Sequence, residues 1–185
     1  MTNFDHLKSQ PQFHIFADLA ISAEKIIHID PEATVINCRR SMEFAIKWMY
    51  SVDKSLTMPY RDNLLSLMHT DEFKGIVEDN LWHRLDFIRR MGNSAAHTGR
   101  KITFDQAALC LQDLFIFLDF IACCYADDYE QREYDVRLLK DGQDKSRAVL
   151  SEEFADIDLK ALIAENKALK EELTGRRERQ ISEYV

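Results

Sequence analysis

Apolar residues recur along this chain at steps of three and four, the period of a helix with one buried face. Phe16, Leu19, Ala20, Ala23, Ile26 and Ile27 predict a first amphipathic helix that ends before Pro31. Val35, Cys38, Met42, Ala45 and Met49 predict a second, while Arg40, Glu43 and Lys47 draw a polar stripe at the same period. Pro59 is expected to open a short third helix carrying Leu64, Leu65 and Met68. Leu81, Leu85 and Ile88 carry a fourth, which runs on through Arg89, Arg90, Met91, Gly92 and Asn93 to His97. Gly99 suits a left-handed C-terminal cap for it. Thr103 with Gln106 three residues later has the form of a capping box, opening a long helix from Phe104 to about Tyr125.

Five helices joined by short loops make an all-α, antiparallel bundle over residues 10–126. Residues 127–150 are crowded with Asp127, Asp128, Glu130, Lys140, Asp141 and Asp144 and read as a charged linker. In 151–185, Leu159, Leu162, Asn166, Leu169 and Leu173 follow the a/d seam of a coiled coil, with Asn166 at an a position. Glu165 and Glu172 fall at g, and Lys170 and Arg177 at the following e, so two parallel strands would pair them. A homodimer through this C-terminal helix is the expectation, against a solvated helix packed on its own bundle. The chain stops just after that helix, which fits a piece of a longer polypeptide.

Composition narrows the classes. A hydrophobic fraction of 46% excludes a wholly disordered chain, and five Gly with three Pro are too few for the turns of a sandwich or barrel. A net charge of -8 argues against bulk non-specific nucleic-acid binding and leaves room only for a local basic patch. Cys38, Cys110, Cys123 and Cys124 lie in apolar stretches without zinc-ligand spacing, and are expected to be four buried, reduced thiols in a cytoplasmic protein. No metal site and no cofactor are expected. Residues 1–11 have no basic segment followed by an apolar core, so no signal peptide is expected. The apolar run from Ala107 to Ala126 is interrupted by Gln112, Asp113 and Asp119, and reads as a bundle's central helix instead of a membrane span. No Gly-x-x-x-x-Gly-Lys-Ser/Thr phosphate loop is present. Glu165-Asn166-Lys167 echoes a nuclease motif but falls on a helix, and Trp48 and Trp82 read as core residues.

The chemistry concentrates at Arg89-Arg90-Met91-Gly92-Asn93-Ser94-Ala95-Ala96-His97. At about 100° per residue, Arg90 and His97 return to nearly one bearing with Asn93 beside them. A guanidinium holds phosphate bidentately and an imidazole moves protons, so this face suits phosphodiester work. The plainer reading gives Gly92 to a tight helix crossing, Asn93 to backbone capping and His97 to a helix end.

Together with Cys38-Arg39-Arg40-Ser41-Met42-Glu43, the stretch Phe87 to His97 resembles the HEPN-like domains, and more closely the uncharacterised bundle at the N-terminus of type I restriction endonuclease R subunits. The resemblance covers about residues 10–126 and is carried by the pattern Arg-x-x-Gly-Asn-x-x-Ala-His. It implies an accessory module of a restriction-modification protein that binds a DNA or RNA backbone or another subunit, through Arg40, Glu43, Arg89 and Asn93 with Arg90 and His97. In catalytic HEPN proteins an Arg and a His with four to six residues between them form a metal-independent ribonuclease site, and Arg90 and His97 have six between them, so the resemblance also implies an enzyme in which Arg90 holds phosphate and His97 moves the proton. Gly92 stands where the commonest form of that motif has its Arg. A third reading is a dimerisation scaffold. Arg40 and Glu43 also fit an ordinary ion pair.

Overall fold

The computed structural model describes residues 1–97 and 101–139. They form five α-helices, α1 (His14–Ile26), α2 (Pro31–Val52), α3 (Leu64–Met68), α4 (Asp71–His97) and α5 (Phe104–Tyr125), preceded by two short 3₁₀ turns, Asp5–Ser9 and Pro11–Phe13. No strand occurs among the described residues. The fold is all-α.

The starts of α2, α3 and α5 each have a local chemical cause. Asp30 accepts the Ala33 amide at 2.9 Å, and Pro31 fills the first position of α2, where no intrahelical N–H is needed. Thr103 and Gln106 form the expected capping box of α5, each side chain bonding the other's backbone amide. The short helix begins later than Pro59 because Asn63 is its cap, accepting the Ser66 amide at 3.0 Å. α4 is bent at Glu78, whose φ of 55° and ψ of 160° interrupt the helix.

Helix directions follow from pairs at their two ends. Ser41 donates to the Phe16 carbonyl and Thr34 to that of Ala23, so α1 and α2 are antiparallel. Tyr50 stacks on Phe73 while Arg39 lies across Gly92, so α2 and α4 are antiparallel as well. Val35, Cys38, Met42, Ala45 and Met49 are all fully buried, as their spacing requires. Trp48 packs edge-on against Phe13 and Tyr125, and the Trp82 indole donates to the Met68 carbonyl at 2.6 Å, so both tryptophans serve packing.

The packed residues extend beyond the expected limits of 10–126. Phe4 and Leu7 are fully buried, and Asn3 bonds the buried Glu24 through both its amide N–H and its side chain. Residues 127–139 return across the bundle where a charged linker was expected. Tyr129 donates to Asp119 at 2.7 Å, the Asp135 amide donates to Asn3 Oδ1 at 2.7 Å, and Leu139 is buried with its carbonyl bonded to His28. His28 therefore fastens this segment, while Asp30 caps α2. A few anchors, Tyr129, Tyr134 and Leu139, outweigh the segment's charge. Gly99, the rest of the linker and the coiled-coil helix at 151–185 lie outside the described residues.

Of the four cysteines expected to be buried, Cys38 and Cys110 are. Cys123 and Cys124 are exposed, because they occupy the solvent-facing end of α5. Burial pushes the Cys110 thiol up to about 12 and that of Cys38 well above its ordinary value. Among the described residues α5 is the one helix long and apolar enough to cross a membrane, and 61% of its most apolar stretch is buried in the bundle. Two of its three aspartates are buried with partners: Asp113 accepts from Arg84 at 2.6 Å and Asp119 from Tyr129.

Candidate functional site

Of the residues singled out above, Gly92 sits where α2 crosses α4, against Arg39. Gly92 makes that crossing possible, since a β-carbon there would lie 2.5 Å from Cδ and 2.6 Å from Cβ of Arg39. Arg39 is thereby laid flat along α4, with its Nε buried and without a hydrogen-bond partner. Its Nη1 reaches Glu43 at 3.6 Å, and Lys47 reaches the same carboxylate at 3.0 Å. Glu43 therefore serves Arg39 and Lys47. Arg40, the partner expected for it, is exposed and has no ion pair among the described residues.

On α4 the organiser is Asp86, which sequence reading passed over. Arg89 donates to its Oδ1 from Nε at 2.9 Å and from Nη2 at 2.6 Å, and Arg90 Nη2 meets its Oδ2 at 2.6 Å. Asp86 is only 6% exposed. Burial pushes its carboxyl up, but the hydrogen bonds and charges of the two arginines outweigh that and hold it below the ordinary carboxylate value. The available signal was an aspartate three and four residues ahead of consecutive arginines, which a helix turn brings onto one carboxylate.

Helix geometry sorts these side chains into a seam and a ridge. Ile88 and Gly92 are buried and set the inward bearing of α4, and Arg90 and His97 point nearly opposite. Arg90 is 68% exposed and His97 is exposed at the helix end. Arg89 lies on the flank nearest Gly92, and Asp86 and Asn93 lie between it and the bearing of Arg90 and His97. Asn93 is half-buried and has no hydrogen-bond partner among the described residues. Arg39 and Lys47 on α2 share Glu43, and Arg89 and Arg90 on α4 share Asp86, so each helix carries two cations on one carboxylate. In a chain of net charge -8 this is a local cationic surface.

The arrangement is suited to holding an anion. Arg90 is fixed at one end by Asp86 and open at the other, so little side-chain freedom is lost on contact with phosphate. Asn93 offers an amide beside it. No group of three or more His, Cys, Asp or Glu is placed to hold a metal ion among the described residues.

The family model described as "Domain of unknown function (DUF4145)" matches residues 22–130, a span containing α2, α4, α5 and every residue of the seam. No curated protein and no solved structure matches the chain.

Proposed function

This chain belongs to the DUF4145 family, and we propose that its α2–α4 seam and ridge bind a nucleic-acid backbone, the bundle acting as a non-catalytic accessory domain. The setting we infer, from the HEPN-like resemblance of the Arg89 to His97 stretch, is the N-terminal part of a cytoplasmic restriction-modification R-subunit-like protein. One observation carries the reading: in an otherwise acidic chain, Arg90 is held by Asp86 beside Arg89 and is yet 68% exposed. Phosphate contacts need fixed, accessible guanidinium groups, whereas base edges are not needed for affinity.

Fluorescence anisotropy with a labelled single-stranded RNA and a labelled duplex DNA, at low salt with EDTA, tests it. Arg90→Ala and Arg40→Ala should each weaken binding evenly across sequences, and His97→Ala should leave affinity nearly unchanged. Absence of binding by the full chain at low salt, or wild-type affinity in the Arg40→Ala/Arg90→Ala double variant, overturns the reading.

A second reading is favoured by the shared exposed bearing of Arg90 and His97 on the ridge of α4. It makes the chain a metal-independent ribonuclease, with Arg90 on the phosphate and His97 transferring the proton. RNA cleavage that persists in EDTA and disappears in His97→Ala supports it, while retained binding without cleavage removes it.

A further inference from the structure

A recessed groove of ≈ 690 Å³ runs between α4 and the returning segment 131–134, with α5 as its floor. Leu81 and Arg84 stand on the α4 wall. Phe115, Ile116, Asp119 and Phe120 lie along the floor, three apolar side chains around one carboxylate. Small-molecule sites hold about 300–1,000 Å³ and share this make-up, a mostly apolar lining with a few placed polar groups.

Asp119 gives the groove its chemistry, and it is only 4% exposed. Its Oδ1 accepts from the Tyr129 hydroxyl at 2.7 Å and from the Arg132 amide at 3.1 Å. The one hydroxyl proton of Tyr129 is thereby used, so His6 Nε2, at 2.9 Å, donates to the same oxygen, and a chain of hydrogen bonds holds the carboxylate in place. Oδ2 accepts nothing from the described residues. Nor is it sealed in the interior, where the unbonded side-chain atoms are Thr2 Oγ1, Arg39 Nε and Tyr134 Oη. Asp119 lines the groove, so what is open of it faces that space. The nearby cations do not serve it. Arg84 is committed to Asp113 through Nη1 at 2.6 Å, and the exposed Arg132 side chain makes no ion pair among the described residues. Taking Arg84 with Asp113 and Arg132 with Glu133, Asp119 leaves one negative charge over. A carboxylate oxygen at the bottom of an apolar groove is costly alone, and a cation placed on it offsets that cost. Phe115, Phe120 and Tyr134, whose ring lies 5.4 Å from that of Phe115, add aromatic faces that suit the body of such a cation.

We propose that this groove binds a small apolar amine, its ammonium group on Asp119 Oδ2 and its hydrocarbon or aromatic body against Phe115, Ile116 and Phe120. The two walls recess the floor, so a small molecule reaches it where a flat protein surface does not. No residue of the seam or the ridge lines the groove, and the site is independent of what they bind.

Isothermal titration calorimetry of the full chain with phenethylammonium tests the proposal, with phenethyl alcohol and hydrocinnamate as neutral and anionic counterparts. The wild type should bind the ammonium saturably, the alcohol at least about tenfold more weakly, which is the scale of a hydrogen bond to a charged group, and the carboxylate not at all. Asp119→Asn should lose at least about tenfold in affinity for the ammonium with unchanged far-ultraviolet circular dichroism, since its Oδ1 still accepts from Tyr129 and from the Arg132 amide. Alkylation by iodoacetamide reads the location separately, because Cys123 is exposed and lines the groove while Cys124 is exposed outside it. The ammonium should slow reaction at Cys123 and not at Cys124, and this decides alone if Asp119→Asn loses helix content. A wild type without saturable binding overturns the proposal and leaves Oδ2 to water. So does equal affinity for the ammonium and the alcohol, wild-type affinity in a folded Asp119→Asn, or unprotected Cys123. Tighter binding of acetyl-lysine amide than of phenethylammonium overturns the free amine as occupant and gives the groove to the lysine side chain of a partner.

Discussion

Gly92 has no side chain at the place where α4 meets the stem of Arg39, and the space a β-carbon would need is taken by Cβ, Cγ and Cδ of that arginine. Because the first of these is fixed to the α2 backbone, the arginine cannot simply swing aside. Gly92→Ala should cost about 1–3 kcal/mol in urea denaturation, as overpacking in a well-filled core does, despite the higher helix propensity of alanine. Arg39→Ala in the same background should recover part of that loss. Asp86 gives a second residue-scale prediction. Its carboxyl is held below the ordinary value, so the native state gains stability from it above the unfolded carboxylate pKa and loses that gain as pH falls through the folded one. Glu24 and Asp113 act in the opposite sense, because burial raises them, and what they contribute is present at low pH and lost as pH rises. Wild-type melting temperature should therefore fall more steeply than that of Asp86→Asn between about pH 5 and about pH 2, where carboxylates titrate. Parallel curves would contradict the two-arginine clamp. The basic stretch itself was legible in the sequence, as was the bearing shared by Arg90 and His97. Partner choice was not, because helix spacing offers Glu43 to Arg39, Arg40 and Lys47 alike, and only the crossing at Gly92 decides among them.

At the scale of elements, α4 combines two helical pieces joined at Glu78. A positive φ with extended ψ is a region that glycine enters freely and other residues enter at a cost of about 1–3 kcal/mol. Glu78→Gly should thus be neutral or stabilising by up to about 1 kcal/mol in chemical denaturation. An ordinary helix interior would lose about 1 kcal/mol from the same change, and that loss would show the bend to be absent. The five helices were legible because four of them bury one clean face and several carry explicit caps, Asp30 for α2 and Thr103 with Gln106 for α5. The first turns of α4 were not. Asp71 to Val77 hold only Phe73, Ile76 and Val77 as apolar positions, too few to show a period, and the break at Glu78 takes them out of phase with Leu81 and Leu85. Central helix α5 was legible as a core element, but periodicity cannot show which bearing of an all-round apolar helix its neighbours leave open.

Over the whole molecule, sequence charge misled most where it was densest. Residues 127–139 are tied to the N-terminal turn and to α5 by Asn3, His28, Asp119 and Tyr129, long-range partners that composition cannot reveal. The same balance of net charge and local arrangement underlies the functional proposal. A chain of charge -8 repels polyanions at long range, so the backbone binding proposed for Arg40 and Arg90 rests on local cations and should be sensitive to salt. The most direct test is the salt dependence of nucleic-acid affinity in the wild type and in the Arg40→Ala/Arg90→Ala double variant. Two lost phosphate contacts should lower the slope of log affinity against log salt by about two, with the fold unchanged. Equal slopes in the two proteins would contradict the assignment of this seam as the binding surface.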